Sequence, residues 1–187
     1  MSESSDNINQ GEKVVFKGVV RHPQSTDVSQ LRTILETWVR DNATKELIPT
    51  EVASIVAAVE ESVADKNAPA SYLVAEEEGK VLGMIGYKKP ENKMRALALT
   101  DNPTELINAF VDADNRAGRG VGRALTTALE KEVQAKGYKE IMVNSGPRYR
   151  ETAWDFYNRV YGPSIGVLKD YYGEGVDAPV WRKILNS

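Results

Sequence analysis

An α/β (α+β) domain is the fold class that the sequence predicts, and three observations carry it. Short apolar runs rich in branched and aromatic residues alternate with stretches whose apolar residues recur at helical spacing. Two such runs, Ser71-Tyr72-Leu73-Val74-Ala75 and Val81-Leu82-Gly83-Met84-Ile85-Gly86-Tyr87, flank a short acidic segment ending in Glu78-Gly79, which is a β-hairpin signal. A third run, Leu106-Ile107-Asn108-Ala109-Phe110-Val111, leads into a glycine-rich turn, after which the pattern becomes helical.

Residues 1–12 are polar without apolar periodicity and are expected to form a disordered tail, leaving 13–187 as one domain. Val14 to Val20 reads as a strand. Ser25-Thr26-Asp27 then offers a helix N-cap, with Gln30 placed to reach back as in a capping box. Val28, Leu31, Ile34, Leu35, Trp38 and Val39 follow at helical spacing. Pro49-Thr50 restarts the pattern, and Val52, Ile55, Val56, Val59 and Val63 predict a second amphipathic helix that dies out at Lys66-Asn67-Ala68-Pro69.

After the hairpin, Lys88 to Lys93 is turn-like, Met94 to Thr100 reads as a strand, and Asp101-Asn102-Pro103 turns the chain into the strand Leu106 to Val111. Beyond the glycine turn, Val121, Ala124, Leu125, Ala128, Leu129 and Val133 share a helical face, and Gly137 stands where a C-terminal cap glycine belongs. Tyr138 to Asn144 is the next strand, broken by Ser145-Gly146-Pro147. Ala153, Phe156, Tyr157 and Val160 predict a short helix. Gly166 to Tyr172 and Ala178 to Leu185 read as closing strands joined by Gly173-Glu174-Gly175.

Composition narrows the function classes. With 187 residues, 41% hydrophobic and 27% charged, the chain has the makeup of a globular domain with a real core. A net charge of −3 provides no basic excess to neutralise a nucleic-acid backbone. The absence of cysteine excludes disulfides, thiolate metal ligands and thiol nucleophiles, and the single histidine, His22, leaves nothing for a histidine metal cluster. No run reaches transmembrane length and the polar start lacks the parts of a signal peptide, so a cytoplasmic protein without membrane partners is expected.

Function shows in one stretch, Asn115-Arg116-Ala117-Gly118-Arg119-Gly120-Val121-Gly122-Arg123. Gly118, Gly120 and Gly122 remove the Cβ atoms that would hold a ligand off the backbone and permit the positive φ angles that turn N–H groups inward. The helix starting near Val121 adds its unpaired N–H groups and the positive end of its dipole, and Arg116, Arg119 and Arg123 add charge. A pyrophosphate is the expected guest. Neither a dinucleotide fingerprint nor a Walker loop fits, since Arg123 and Leu125 occupy the places where the fingerprint's final glycine would fall and no Gly-Lys-Ser or Gly-Lys-Thr is present. Gly162-Pro163-Ser164-Ile165-Gly166 matches a nucleophile elbow, but a strand follows it and no histidine lies downstream.

Two segments resemble the GCN5-related N-acetyltransferase (GNAT) family. Val111 to Leu125 is similar to its acetyl-CoA pyrophosphate loop, and Ala153-Trp154-Asp155-Phe156-Tyr157 is similar to its later helix motif, an alanine followed by an aromatic-tyrosine pair. The element order agrees over roughly Val14 to Leu185. The resemblance implies a mixed, mostly antiparallel sheet of about six or seven strands flanked by helices on both faces. It also implies acetyl-CoA as cofactor and a small-molecule or peptide amine as acceptor, attacking the thioester directly in a ternary complex. In that frame the main chain of Val111 and Ala113 binds the pantetheine arm, Gly118 to Arg123 hold the pyrophosphate, and Tyr157 lies beside the sulfur as proton donor. Glu105 lies near the place of a base.

The chain departs from the family pattern at three positions. The arginine expected before the glycines is Ala117, with Arg116 one place early; Arg150 stands where an asparagine contact is common; and the glycine after the tyrosine is displaced to Gly162. These departures leave a non-catalytic acyl-CoA-binding module as the alternative, with a nucleotide-phosphate binder ranked last. A homodimer is the commonest symmetric outcome for such a protein.

Overall fold

A computed structural model describes residues 15–115 and 118–185. The expected tail over 1–12, together with Arg116 and Ala117, lies outside the described residues. Seven strands form one sheet in the order β1-β2-β3-β4-β5-β7-β6, with all neighbours antiparallel except β4 and β5. They are β1 Val19–Arg21, β2 Ala70–Glu77, β3 Lys80–Lys88, β4 Pro103–Val111, β5 Glu140–Asn144, β6 Gly166–Leu168 and β7 Ala178–Ile184. The helices are α1 Val28–Trp38, α2 Pro49–Ala64, α3 Asn92–Arg95, α4 Val121–Ala135 and α5 Asp155–Tyr161. No described helix is long and apolar enough to cross a membrane.

Period-two alternation places the helices on both faces. Tyr72 and Val74 of β2 pack with Leu31, Leu35, Val52 and Val56 of α1 and α2, whereas Leu73 and Ala75 pack with Leu125, Leu129 and Val133 of α4. A smaller cluster gathers Met94, Met142, Leu168, Ala178 and Val180 beneath α3. The hairpin signal is a two-residue turn, with Glu78 at φ 52° and Gly79 at φ 79°.

Several sequence-based boundaries are corrected. Val14 lies outside the described residues, and of the rest of the expected first strand only the part from Val19 joins the sheet, because the chain just before it bonds elsewhere: Phe16 N–H donates to Arg119 O (2.7 Å) and Lys17 N–H to Glu77 Oε1 (2.7 Å). Gly18 makes this possible, since a Cβ there would meet Glu76 O at 2.0 Å. Asp27 rather than Gln30 completes the capping box, with Gln24, while Gln30 Oε1 accepts from Val81 N–H (2.9 Å). The expected strand at Met94 to Thr100 is replaced by α3, because Met94 is a helical anchor buried in the third cluster. β4 starts three residues early, its polar Thr104 and Glu105 being buried. β6 ends at Leu168, four residues short of the expected Tyr172.

The parallel contact of β4 with β5 covers Pro103↔Glu140, Thr104↔Ile141 and Glu105↔Met142 and then stops. Glu140, 0% exposed, fixes this end. Its carboxylate accepts from Leu99 N–H (2.9 Å), Thr100 N–H (2.9 Å) and Thr100 Oγ1 (3.0 Å), and Arg182 Nε lies 2.6 Å away. Every partner of this buried charge is thus polar, which is the condition for keeping it there.

Candidate active site

Beyond Glu105 and Met142 the two strands diverge, and a cavity of about 650 Å³ opens between them. Residues of β4 from Glu105 to Val111 line one side, and Val143, Asn144 and Ser145 line the other. A bulge shapes the β4 wall: the register steps from Met84↔Phe110 to Gly86↔Ile107, and Asn108 takes φ 49°. The Asn108 side chain is held there by a hydrogen bond from Tyr72 Oη (3.1 Å).

The glycine turn forms the mouth. Gly118 and Gly120 adopt φ 80° and 86°, and a Cβ on either would touch nothing within 4 Å, so a ligand can approach the bare backbone. Gly120 precedes α4 without a side-chain cap, leaving first-turn N–H groups for a guest. At Gly122 the need is packing, since a Cβ would press on the Phe156 ring at 3.3 Å. Gly118, Gly120, Gly122 and Arg123 line the cavity. Arg123 is exposed and forms no ion pair among the described residues.

The structure separates the other loop residues by role. Arg119 turns its guanidinium away from the cavity, to Asn115 Oδ1 and Glu77 Oε2, tying the turn to the end of β2. Hydrogen bonds from Lys17 N–H and Arg119 hold the Glu77 carboxyl below the usual range. Val121 is buried in the α4 core, 1% exposed, and Ala113 lies exposed in a short 3-10 turn, Ala113–Asn115; neither lines the cavity. Arg150 is exposed as well, its guanidinium 5.4 Å from the Trp154 ring centroid and outside the cavity lining.

Both sequence-derived catalytic residues line the cavity. Glu105 is 4% exposed; its Oε1 accepts from Asn144 Nδ2 (3.0 Å), while Oε2 is buried without a hydrogen-bond partner. Desolvation raises its pKa, with Lys88 opposing. Tyr157, 5% exposed, stacks on Tyr161 (interplanar 7°, centroids 6.3 Å) and lies 5.3 Å from the Trp181 ring. Burial raises the phenol pKa and so keeps its proton on, and the hydroxyl has no hydrogen-bond partner among the described residues.

Sequence reading did not single out the individual residues of the cavity's remaining wall. Arg148 pairs with Glu51 at the start of α2 through both nitrogens, Nη1 to Oε2 at 3.0 Å, and stacks over the Tyr149 ring (4.8 Å). Tyr149 packs edge-on against Phe110, with its hydroxyl buried and unpartnered and its pKa pushed up to about 12 by burial. Tyr172 Oη donates to Asn144 Oδ1, so Asn144 bridges Tyr172 and Glu105. These are single aromatic or charged residues in turns, without spacing that could reveal them. Residues 41–50 contribute nothing to the lining, whereas Trp38 and Glu51 on either side of them, and Val160 and Tyr172 later in the chain, do.

Comparison with known proteins adds the following. Residues 33–162 match the model of the acetyltransferase (GNAT) family. No curated protein sequence matches the chain. Among solved structures, one assigned to the GNAT family from Desulfovibrio desulfuricans has a TM-score of 0.71 at 21% identity, covering 90% of this chain and 99% of its own. An aminoglycoside 6'-N-acetyltransferase complexed with coenzyme A has a TM-score of 0.66 at 19% identity, covering 90% and 98%. A ribosomal-protein-alanine N-acetyltransferase from Brucella melitensis has 0.65 at 23%, covering 89% and 99%.

Proposed function

The chain belongs to the acetyltransferase (GNAT) family and is an acyl-transfer enzyme, and from that premise we propose that it moves an acetyl group from acetyl-CoA to a primary amine. The acceptor is a small molecule or a peptide, and it attacks directly in a ternary complex. One observation carries this reading: a buried carboxylate with an unpartnered oxygen and a buried phenol line the same cavity as a bare glycine turn.

The residues present fit a CoA thioester. Gly118, Gly120 and the uncapped first turn of α4 offer main-chain N–H groups to the pyrophosphate, with Arg123 adding charge. The edge of β4 at Val111, which β5 leaves uncovered, offers main-chain groups to the pantetheine arm, as a strand would receive an added strand. Acetyl-CoA supplies an acetyl group already activated as a thioester.

Glu105 Oε2 takes a proton from the acceptor ammonium, freeing the nitrogen lone pair. Its raised pKa makes it a stronger base than a solvated carboxylate. Tyr157 gives a hydrogen bond, and then its proton, to the sulfur as it leaves. A phenol of ordinary pKa about 10 stands above a thiol of about 8.5, and burial widens that gap, so the hydrogen bond to developing charge matters more than complete early transfer.

Calorimetric titration with acetyl-CoA, followed by free-thiol release across polyamines, amino acids, aminoglycosides and peptide N-termini, tests the proposal. Binding with turnover of at least one amine is expected. No binding at millimolar cofactor would overturn it, and binding without turnover of any amine would favour a non-catalytic module.

A further inference from the structure

We propose that Trp38 is a latch on the cofactor cleft, its indole N–H holding the carbonyl that the pantetheine arm takes. This rests on the reading of the cleft as a CoA site. Trp38, the last residue of α1, lines the cavity, and its Nε1 donates to Val111 O at 2.8 Å.

The direction of that carbonyl follows from peptide planarity. Asp112 N–H donates to Leu82 O (2.8 Å), so it points toward β3. The carbonyl of the same trans peptide, that of Val111, therefore points to the opposite edge, where β5 has already departed. On that edge it is the acceptor an added strand would use, and the indole occupies it.

Val39 O accepts from Ile48 N–H (3.0 Å) and Arg40 bridges Leu47, so the end of α1 is joined directly to the start of α2. The first turn of α2 carries Glu51, which pairs with Arg148 in the cleft. One short segment therefore joins the indole that meets Val111 to the cavity wall that carries Arg148.

Trp38→Phe keeps an aromatic ring and removes the donor. The chain has three tryptophans, and the other two, Trp154 and Trp181, pack edge-to-face at 6.3 Å. CoA is expected to change the indole emission of the wild type and not that of Trp38→Phe. The variant should bind CoA about three- to tenfold more tightly, the worth of one hydrogen bond that no longer has to be broken. In the unaltered protein, the Trp38 indole N–H should exchange faster with solvent once CoA is bound, which covers the case of a poorly folding variant. Equal or weaker CoA binding by the variant, or an indole N–H as protected as before, would overturn the latch alone. No CoA binding by either protein would overturn the reading of the cleft as well.

Discussion

Asn144 Nδ2 reaches across the parting of β4 and β5 to Glu105 Oε1 at 3.0 Å, leaving the other oxygen of that buried carboxylate without a partner. A group desolvated and half-satisfied in this way is costly as a charge. It is correspondingly reactive toward a proton.

Glu105→Gln is therefore expected to lower kcat/KM by roughly 10²- to 10⁴-fold, as loss of a general base does. The wild-type rate should fall on acidification as Glu105 is protonated. That fall should lie above the ordinary carboxylate value of 4.5, since burial raises the folded pKa. A pH–rate profile checks both.

The same shift fixes the sign of a stability effect. With its folded pKa raised, Glu105 binds more protons in the folded than in the unfolded state between the two values, so its contribution to stability is lost as pH rises through that window. Glu105→Gln should melt higher than wild type at neutral pH, and the difference should shrink below the unfolded pKa. Thermal melts across pH would show it, and a variant less stable at neutral pH would contradict it.

On the proposal that its hydroxyl serves the leaving sulfur, Tyr157→Phe should reduce kcat by roughly 10²-fold or more while leaving the Kd for CoA unchanged. Stability should hold or rise slightly, since the hydroxyl removed has no hydrogen-bond partner among the described residues. Turnover indifferent to the change would remove Tyr157 from the mechanism.

Gly120→Ala is a backbone test. No atom lies within 4 Å of the added Cβ, so the cost comes from φ 86° alone, about 1 kcal/mol of stability. Relaxation of that angle would re-aim the turn and weaken CoA binding, measurable by calorimetry beside a melting curve.

On the proposal that the amine enters beside the Arg148–Glu51 pair, which lines the cavity, Arg148→Ala should raise the acceptor KM and leave the CoA Kd unchanged. With side chains 24% and 35% exposed, solvent screening limits the stability loss to about 1 kcal/mol. Steady-state kinetics with each substrate varied in turn separates the two effects.

The parts of this molecule that sequence reveals are those governed by local rules. The α1, α2 and α4 stripes, the Glu78-Gly79 turn and the positive-φ glycines follow from periodicity and backbone sterics. Met94 to Thr100 reads as a strand because a buried methionine looks the same in sequence on a single helical turn as on a strand. Arg119 illustrates the limit at the site: composition gives a cation beside a phosphate cradle, while Glu77, 42 residues earlier, draws it elsewhere. Asn144, Tyr172 and Trp38 acquire meaning only from partners distant in sequence.

The three-pair contact of β4 with β5 makes the sheet a lever. The glycine cradle rides on α4, packed against β2 and β3, whereas Tyr157 rides on α5, packed against β7. Val111 stands about 20 Å along the strand from Glu105, so a 10° rotation of one half about that short seam shifts the far ends by about 3.5 Å. The separation of the glycine turn from Tyr157 is thus tied to the seam of β4 with β5, where Glu140 is clamped by Thr100 and Arg182.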